Sequence, residues 1–262
     1  MPLILTVGVK ATLQGKRIII TGGTSGIGRA IALRLLEEGV SHLTIASELE
    51  SPPEWDPCEQ AEAQVFYIKC DTGSETEPES LVREAHSLMG GVDGMVHCAG
   101  VYLESDPGDR TPLQLWEESV NIKARGGYLL ANAFAEIANA GASFVGVTSI
   151  NADQSEPDHL AYDSACAAFS GSIRSFAVQH APRLRFNALA PGLIQTRITE
   201  EVTRDAALHS HAMSNIPMSR VGDPKDCTGA AVFLLGEDSS YVTGITLYVD
   251  GGISANQMSK PS

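Results

Sequence analysis

Three glycines at the end of a short apolar run are the clearest candidates for ligand chemistry in the sequence. Gly22, Gly26 and Gly28 are spaced G-x-x-x-G-x-G between the run 17–21 and a helical pattern that starts at residue 27. Glycine allows the positive φ angles of a tight turn and lets the backbone approach a ligand closely. A helix N-terminus offers unpaired N–H groups and a partial positive charge, which suit a pyrophosphate. The turn therefore predicts a dinucleotide site, and a purely structural turn is the alternative.

The segments around this turn predict that strands and helices alternate along the chain. Short apolar runs are typical of buried strands, and a 3.6-residue periodicity indicates helices. We expect strands at 17–21, 43–46, 65–70, 94–97, 144–148, 185–189 and 245–249, and helices at 27–38, 79–89, 113–138, 161–179 and 224–235. Strands that are apolar on both faces imply a parallel sheet covered on both sides. The predicted fold class is therefore α/β, a doubly wound, three-layer Rossmann fold with a parallel seven-stranded sheet, whose ligands bind beyond the carboxyl ends of the strands.

Overall composition limits the possible classes of function. The 262 residues are 43% hydrophobic and 19% charged, which is enough apolar material for one large core, and we expect a single domain over residues 1–262. The formal net charge of −14 repels nucleic acid phosphates and anionic lipid, so neither is expected as a partner. No run of 18 apolar residues appears, and residues 1–9 lack the basic leader and cleavage site of a signal peptide, so no membrane span or secretion is expected.

The cysteines indicate the redox compartment. Their number is odd and no C-x-x-C pair occurs, which argues against a disulfide framework and against a zinc site. Three of them lie in apolar or small-residue runs, as buried thiols do. The five are Cys58, Cys70, Cys98, Cys166 and Cys227. We therefore expect a cytoplasmic protein without a bound metal.

The glycine turn also carries a resemblance to a known family. Residues 21–28, Thr-Gly-x-x-x-Gly-Ile-Gly, resemble the cofactor turn of the short-chain dehydrogenases/reductases. Similar segments run from Leu13 to Gly252 and include Ala99-Gly100, residues 187–192 and residues 241–244. The resemblance implies an enzyme that binds NAD or NADP. The residues that it implies for cofactor binding are Gly22, Thr24, Ser25, Gly26, Ile27, Gly28, Ser47, Asp71, Thr72, Ala99, Gly100, Tyr162, Pro191, Gly192, Ile194 and Thr196.

The same resemblance implies the residues that carry out the reaction. Tyr162, Ser149 and Asn121 match three of the four usual catalytic positions of the family. A carbonyl that accepts hydride develops negative charge on its oxygen. Tyr162 would donate a proton to that oxygen, Ser149 would hydrogen-bond to it, and Asn121 would support the site. Packing or capping is the alternative role for Tyr162 and Ser149.

The fourth family position, a lysine four residues after the tyrosine, is Cys166 in this chain. An ordinary tyrosine has a pKa of about 10, which a nearby cation lowers. A thiol never carries positive charge, and we expect Cys166 to be a small buried side chain rather than a reactive thiol; an engineered change is a further alternative. Lys123 and Arg125 follow Asn121 and could supply a substitute cation, although a surface charge is the expected role of Lys123. Because proton transfer typically contributes about 10²–10⁴-fold, a slow reductase is compatible with this loss.

Other departures from the family concern histidines and the choice of cofactor. His97-Cys98 replaces Asn-Asn, and we expect a structural role for His97, whereas His159 is a weaker acid–base candidate. Ser47 stands where an acid would bind the ribose of NAD, and Glu48 stands where an arginine often binds the 2′-phosphate of NADP. Glu48 would repel that phosphate, so the charges slightly favour NAD.

We expect residues 194–220 to form a lid over a small-molecule substrate, as the resemblance implies. It also implies a homodimer or homotetramer through the helices at 113–138 and 161–179. The leading hypothesis is an NAD(P)-dependent oxidoreductase that reduces a carbonyl or oxidises a secondary alcohol. The alternatives are a non-redox enzyme on the same scaffold (an isomerase, dehydratase or cyclase) and a catalytically silent dinucleotide-binding protein.

Overall fold

Seven parallel strands form one sheet in the computed structural model, which describes residues 12–52, 62–102, 110–197 and 199–256. The strands are β1 (Arg17–Thr21), β2 (His42–Ser47), β3 (Gln64–Lys69), β4 (Gly94–His97), β5 (Ser143–Val147), β6 (Arg185–Pro191) and β7 (Thr246–Val249). Their order is β3-β2-β1-β4-β5-β6-β7, and every neighbouring pair is parallel. From β1 the chain adds β2 and β3 on one side, and from β4 it adds β5, β6 and β7 on the other. The direction of winding therefore reverses between β1 and β4. The predicted doubly wound sheet is confirmed.

Helices cover both faces of this sheet. They are α1 (Gly26–Glu37), α2 (Glu77–Met89), α3 (Pro112–Ser119), α4 (Gly126–Ile137), α5 (Leu160–His180), α6 (Glu200–Arg204), α7 (Ala206–Asn215) and α8 (Thr228–Leu235). Side chains alternate across each strand, so Ile18 and Ile20 of β1 enter the core under α1 and α8. Ile19 enters the opposite core, under α2, α4 and α5. Two apolar layers therefore hold the sheet, and they leave its carboxyl edge for polar residues.

The predicted helix at 113–138 is interrupted in the structure. A π-helical segment, Val120–Arg125, separates α3 from α4. A π turn adds one residue per turn and rotates the side chains that follow it, and such turns are frequent at functional sites. Asn121 and Lys123 both lie in this segment, which packs against α5.

Several predicted boundaries shift, and two helices are additional. The predicted helix at 224–235 begins as a 3₁₀ turn, Pro224–Cys227. Within the expected lid, α6 and α7 were not predicted, because α7 exposes most of its length and shows little apolar periodicity. The sequence also predicts a surface connection at 48–60 and a polar C-terminal tail after residue 252. Most of the connection and the end of the tail lie outside the described residues. Among the residues that are described, no helix is both long and apolar enough to span a membrane.

Candidate active site at the carboxyl edge of the sheet

The glycine turn between β1 and α1 is tightly packed. Gly22 and Gly26 have φ angles of +67° and +51°. A Cβ atom on Gly28 would lie 2.1 Å from the carbonyl oxygen of Gly22, and one on Gly22 would lie 2.8 Å from the backbone nitrogen of Ala99. Turn geometry and strand packing therefore explain why residues 22 and 28 are glycines.

Gly26 is different, because its nearest neighbour outside the turn is a side chain that follows β6. A Cβ atom on Gly26 would meet the side chain of Thr196 at 3.3 Å, so the glycine turn and the segment after β6 lie against each other. The Ser25 side chain, at the N-cap, makes no capping hydrogen bond to α1. The N–H groups in the first turn of α1 therefore lack that competing acceptor, which is the arrangement that suits a diphosphate.

The other residues predicted to bind cofactor follow the carboxyl ends of four more strands. Ser47 ends β2 and is buried, with its hydroxyl 2.9 Å from that of Tyr67, which also donates to the carbonyl oxygen of Leu49 at 2.6 Å. Glu48, the next residue, is exposed. Asp71 and Thr72 follow β3, Ala99 and Gly100 follow β4, and Pro191, Gly192, Ile194 and Thr196 end or follow β6. All of them lie at one edge of the sheet, which is where a doubly wound fold binds its ligands.

Tyr162 and Ser149 come together at the same edge. Ser149 follows β5, and Tyr162 lies in the first turn of α5. The Ser149 hydroxyl donates to Oδ1 of Asn151 at 3.2 Å and accepts from the Asn151 backbone N–H at 3.2 Å. Burial raises the pKa of Tyr162 well above its ordinary value, the neighbouring Cys166 adds to this rise, and a hydrogen bond with Ser149 opposes it. Tyr162 is therefore a protonated phenol at neutral pH, beside a serine hydroxyl.

An aromatic cluster adjoins Tyr162. The ring of Tyr102 meets that of Tyr162 edge-on at 5.0 Å and stacks on that of His159 at 4.2 Å. The Tyr102 hydroxyl donates to Glu156 at 2.9 Å. Sequence reasoning did not select Tyr102, although its position two residues after Gly100 places it just beyond the carboxyl end of β4. The cluster gives the site an apolar wall with polar groups at its margin.

Cys166 and Lys123 are both buried. Cys166 is fully inaccessible, and burial raises the pKa of its thiol. Lys123 is 4% exposed, so the expected surface role is wrong. Its ammonium donates to the carbonyl oxygens of Ala99 and Val147, both at 3.2 Å. Arg125 instead hydrogen-bonds to the carbonyl oxygen of Gly73 and lies 3.5 Å from Glu75, so it holds the loop that follows β3.

His97 is structural in its contacts. It is fully buried, its Nδ1 lies 2.8 Å from the hydroxyl of Thr21, and its ring meets Phe169 edge-on at 5.3 Å. Burial, together with the charge of Lys123, lowers the pKa of His97 to about 3. The ring is therefore neutral at physiological pH and joins the ends of β1 and β4.

Comparisons with known proteins agree on one family. The family model described as enoyl-(acyl carrier protein) reductase matches residues 22–254. The chain is 32% identical over 248 residues to dehydrogenase/reductase SDR family member 4 of Sus scrofa, covering 93% of this chain and 88% of that protein. It is 32% identical over 253 residues to L-rhamnose-1-dehydrogenase of Scheffersomyces stipitis, covering 93% and 98%.

A solved structure gives the same result. The short-chain type dehydrogenase/reductase of Mycobacterium ulcerans superposes with a TM-score of 0.83 at 26% sequence identity. The match covers 95% of this chain and 93% of that one. The likeness therefore extends over the whole sheet and both helical layers, and not over the glycine turn alone.

Proposed function

The chain belongs to the short-chain dehydrogenase/reductase family and is an oxidoreductase that uses a nicotinamide dinucleotide, and from this premise we propose that it interconverts a carbonyl and a secondary alcohol on a small organic molecule. The observation that carries the proposal is the pairing of Tyr162 with Ser149 at the carboxyl edge of the sheet. A proton donor and a second hydroxyl beside it are what a carbonyl oxygen requires as it gains negative charge.

We assign the dinucleotide to the edge of the sheet where the glycine turn meets the segment that follows β6. The chain fits such a group, because the amides that open α1 lack a cap from Ser25 and because Gly26 places no side chain beside Thr196. The diphosphate would lie against residues 22–28, the adenosine against Ser47 and Asp71, and the nicotinamide end against residues 191–196. The bound dinucleotide supplies or accepts the hydride, and the protein supplies position and protons.

The proposed role of Tyr162 is to donate its hydroxyl proton to the substrate oxygen. Since burial raises the pKa of this tyrosine, the phenol keeps its proton at neutral pH and is ready for reduction. Alcohol oxidation requires the phenolate, so this direction would be slow until the pH is high. Ser149 would turn its hydroxyl from Asn151 to the substrate oxygen, and Asn121 would support the site from the π-helical segment.

Replacement of the family lysine by Cys166 makes this site atypical. A neutral thiol next to Tyr162 leaves the phenol less acidic than a lysine would. We propose an active but slow reductase. A non-redox reaction on the same scaffold is the second candidate, and the thiol at position 166 is the observation that favours it.

We propose NAD as the preferred cofactor. Glu48 is exposed next to Ser47, at the point where a 2′-phosphate would lie, and its charge would repel that phosphate. The hydroxyl of Ser47 is already hydrogen-bonded to that of Tyr67, so few hydrogen-bond donors remain there to bind a phosphate.

Three further assignments complete the proposal. Residues 194–220, which contain α6 and α7, would form the lid of one domain that spans the chain. Exposed Trp116 and Tyr128 on the α3–α4 helical stretch, and Val178 on α5, suit a homodimer or homotetramer interface. Four described cysteines are free, which suits a reducing compartment such as the cytoplasm.

The test is turnover of candidate ketones, aldehydes and sugars while dinucleotide absorbance is followed. The proposal expects saturable oxidation of NADH that depends on Tyr162, so Tyr162→Phe should lose most of it. A matched control is Tyr241→Phe, which removes a hydroxyl from a fully exposed side chain. Product formation without any change in the dinucleotide would favour the non-redox candidate.

A further inference from the structure

A buried ammonium that the proposed reaction does not use lies at the carboxyl edge of the sheet. Lys123 donates to the carbonyl oxygens of Ala99 and Val147, both at 3.2 Å. These oxygens accept two of its three N–H bonds but do not cancel its charge. Among the residues that the structure describes, no carboxylate forms an ion pair with it. Because a buried charge without a counterion costs stability, the free protein lacks the partner that would neutralise Lys123.

The fold keeps a fixed space for this ammonium. A Cβ atom on Gly100 would lie 2.5 Å from Nζ of Lys123 and 2.8 Å from Cε, so a side chain at residue 100 would displace the charge. Of the two acceptors, Val147 ends β5 and Ala99 follows the end of β4. The ammonium is therefore held against Ala99 and Gly100, two residues that we assign to cofactor binding.

Ala99 also joins this charge to the glycine turn. Its carbonyl oxygen accepts from Lys123, and its backbone N–H donates at 3.3 Å to the hydroxyl of Thr21, which ends β1. The turn packs against the same residue, since a Cβ atom on Gly22 would lie 2.8 Å from the backbone nitrogen of Ala99. A single residue therefore separates the ammonium from the backbone to which we assign the diphosphate.

The balance of charge indicates which part of a dinucleotide this ammonium would attract. The chain carries a formal net charge of −14, which repels anionic ligands, and Glu48 and Asp71 add exposed negative charge at the same edge. The diphosphate bridge is an anion, whereas the ribose and adenine groups are neutral. An attraction between partly buried charges is also screened less by water and salt than one at the surface. The diphosphate is therefore the part that the Lys123 charge favours.

We propose that Lys123 supplies the counter-charge for the diphosphate of the bound dinucleotide, an inference that rests on the proposed function. The amides of the glycine turn bind the diphosphate by hydrogen bonds, and the ammonium adds attraction across Ala99. Binding neutralises a charge that the free protein buries at a cost, so part of the affinity for the dinucleotide comes from Lys123. No covalent bond forms or breaks in this role, and the binding affinity reports it without turnover.

The first test compares ligands with and without the diphosphate. Lys123→Met has a side chain of similar length without the charge, and it should weaken NADH and ADP by at least about tenfold each. Adenosine, followed by its displacement of NADH fluorescence, should change by less than about twofold because it has no phosphate. Lys225→Met, which removes an exposed lysine, is the matched control and should bind all three ligands as the wild type does.

Each other outcome of this comparison overturns the inference. Equal losses for all three ligands would mean that the substitution distorts the site. A loss for NADH with unchanged affinity for ADP would mean that Lys123 contacts the nicotinamide half instead. Unchanged affinity for both in folded Lys123→Met would mean that the lysine only ties β4 to β5.

The second test uses salt to separate a buried charge from a surface charge. The ratio of the NADH affinities of the wild type and Lys123→Met should stay the same from low salt to about 1 M, because a buried pair is screened little. A ratio that falls to unity at about 1 M salt would contradict a buried counter-charge.

Two further measurements keep the inference testable. If Lys123→Met does not fold, Lys123→Gln replaces it, because the amide can still donate to a strand carbonyl. If neither folds, the Nζ resonance of Lys123 in the wild-type protein decides: it should shift when ADP is added and not when adenosine is added, and the absence of a shift with ADP would refute the role. A wild-type protein that binds neither NADH nor NADPH would refute the proposed function, whereas equal NADH affinity in the wild type and Lys123→Met refutes only the role of Lys123.

Discussion

A lysine at position 166 tests how strongly a charge near Tyr162 controls the proposed reaction. In Cys166→Lys the new side chain would lie one helical turn from the tyrosine, with Cβ atoms about 5–6 Å apart. At an effective dielectric constant of about 20, a unit charge about 5 Å from the phenolate oxygen stabilises it by about 3 kcal/mol, which lowers the pKa by about two units. The fraction of Tyr162 that is phenolate at pH 7 then rises by about 10²-fold.

The assay is alcohol oxidation from pH 6 to 10 with a saturating dinucleotide. We expect the rising limb of the profile to move down by about two pH units and the rate at pH 7 to rise by up to about 100-fold. Carbonyl reduction should gain less, because the wild-type phenol already carries the proton that reduction uses.

Packing must be separated from charge in this variant. Cys166 is fully buried, so a longer side chain costs about 1–3 kcal/mol of folding free energy. Cys166→Met has a similar length without the charge and should show the same loss of stability without the shift in pH profile. The reasoning is wrong if Cys166→Lys melts as Cys166→Met does and oxidises alcohols with an unchanged pH profile.

Three further predictions concern other parts of the molecule. Ser149→Ala should lower kcat by about 10²-fold with little change in KM, because a hydroxyl at this position acts when the substrate oxygen gains charge; a loss confined to KM would contradict this. Glu48→Arg should shift the ratio of kcat/KM toward NADP by at least about tenfold, whereas Glu237→Arg, the same change at an exposed position at the opposite edge, should not. Asp93→Asn should lower the free energy of unfolding by about 1–2 kcal/mol at pH 7 without changing kcat, because Asp93 accepts from Arg17 at 2.8 Å at the amino edge of the sheet. Burial opposes ionisation of Asp93, but the hydrogen bonds from Arg17 and Asn139 outweigh burial and lower the pKa of Asp93. The stabilisation is therefore present above about pH 4 and is lost as the pH falls through the lower pKa of the folded state. The free energies of unfolding of the two proteins, measured in urea, should converge in acid.

The sheet was predictable because its signals are local and repeated. Each strand is a short apolar run, and helical periodicity separates most of the runs, so alternation alone fixes a parallel sheet with two covered faces. The positions of the glycine turn, Ser149 and Tyr162 at one edge then follow from the polarity of parallel strands. The roles of these residues rest on the family resemblance, and the experiments above test them.

The surroundings of Lys123 could not be predicted in the same way. A continuous helix through 113–138 does not predict that Lys123 is buried. The π-helical segment changes the direction of the Lys123 side chain, and the apolar pattern of the sequence does not predict this segment. Lysine side chains are ordinarily exposed to solvent. The residue type therefore predicts a surface position for Lys123, and this prediction is wrong.

Tyr102 and helices α6 and α7 escaped prediction for a simpler reason. Tyr102 lies in a loop after β4, and its contact with Tyr162 depends on long-range packing. Helix α6 has five residues, too few to show a periodicity, and α7 has no buried residue, so it lacks the apolar face on which a prediction depends.

Calorimetric titration with NADH is the most direct test of the central claim, that the opening of α1 binds the dinucleotide. The matched pair is Gly26→Ala and Gly90→Ala. Both glycines have a positive φ angle, +51° and +68°, so an alanine at either position is strained by about 1–2 kcal/mol. A Cβ atom at residue 26 would meet Thr196 at 3.3 Å, at the proposed dinucleotide site, whereas one at residue 90, at the end of α2, meets nothing within 4 Å. We predict saturable heat with one site per chain for the wild type and Gly90→Ala, and binding at least about tenfold weaker for Gly26→Ala. Absence of heat in the folded wild-type protein with both NADH and NADPH, or equal affinity in the two variants, would contradict the account.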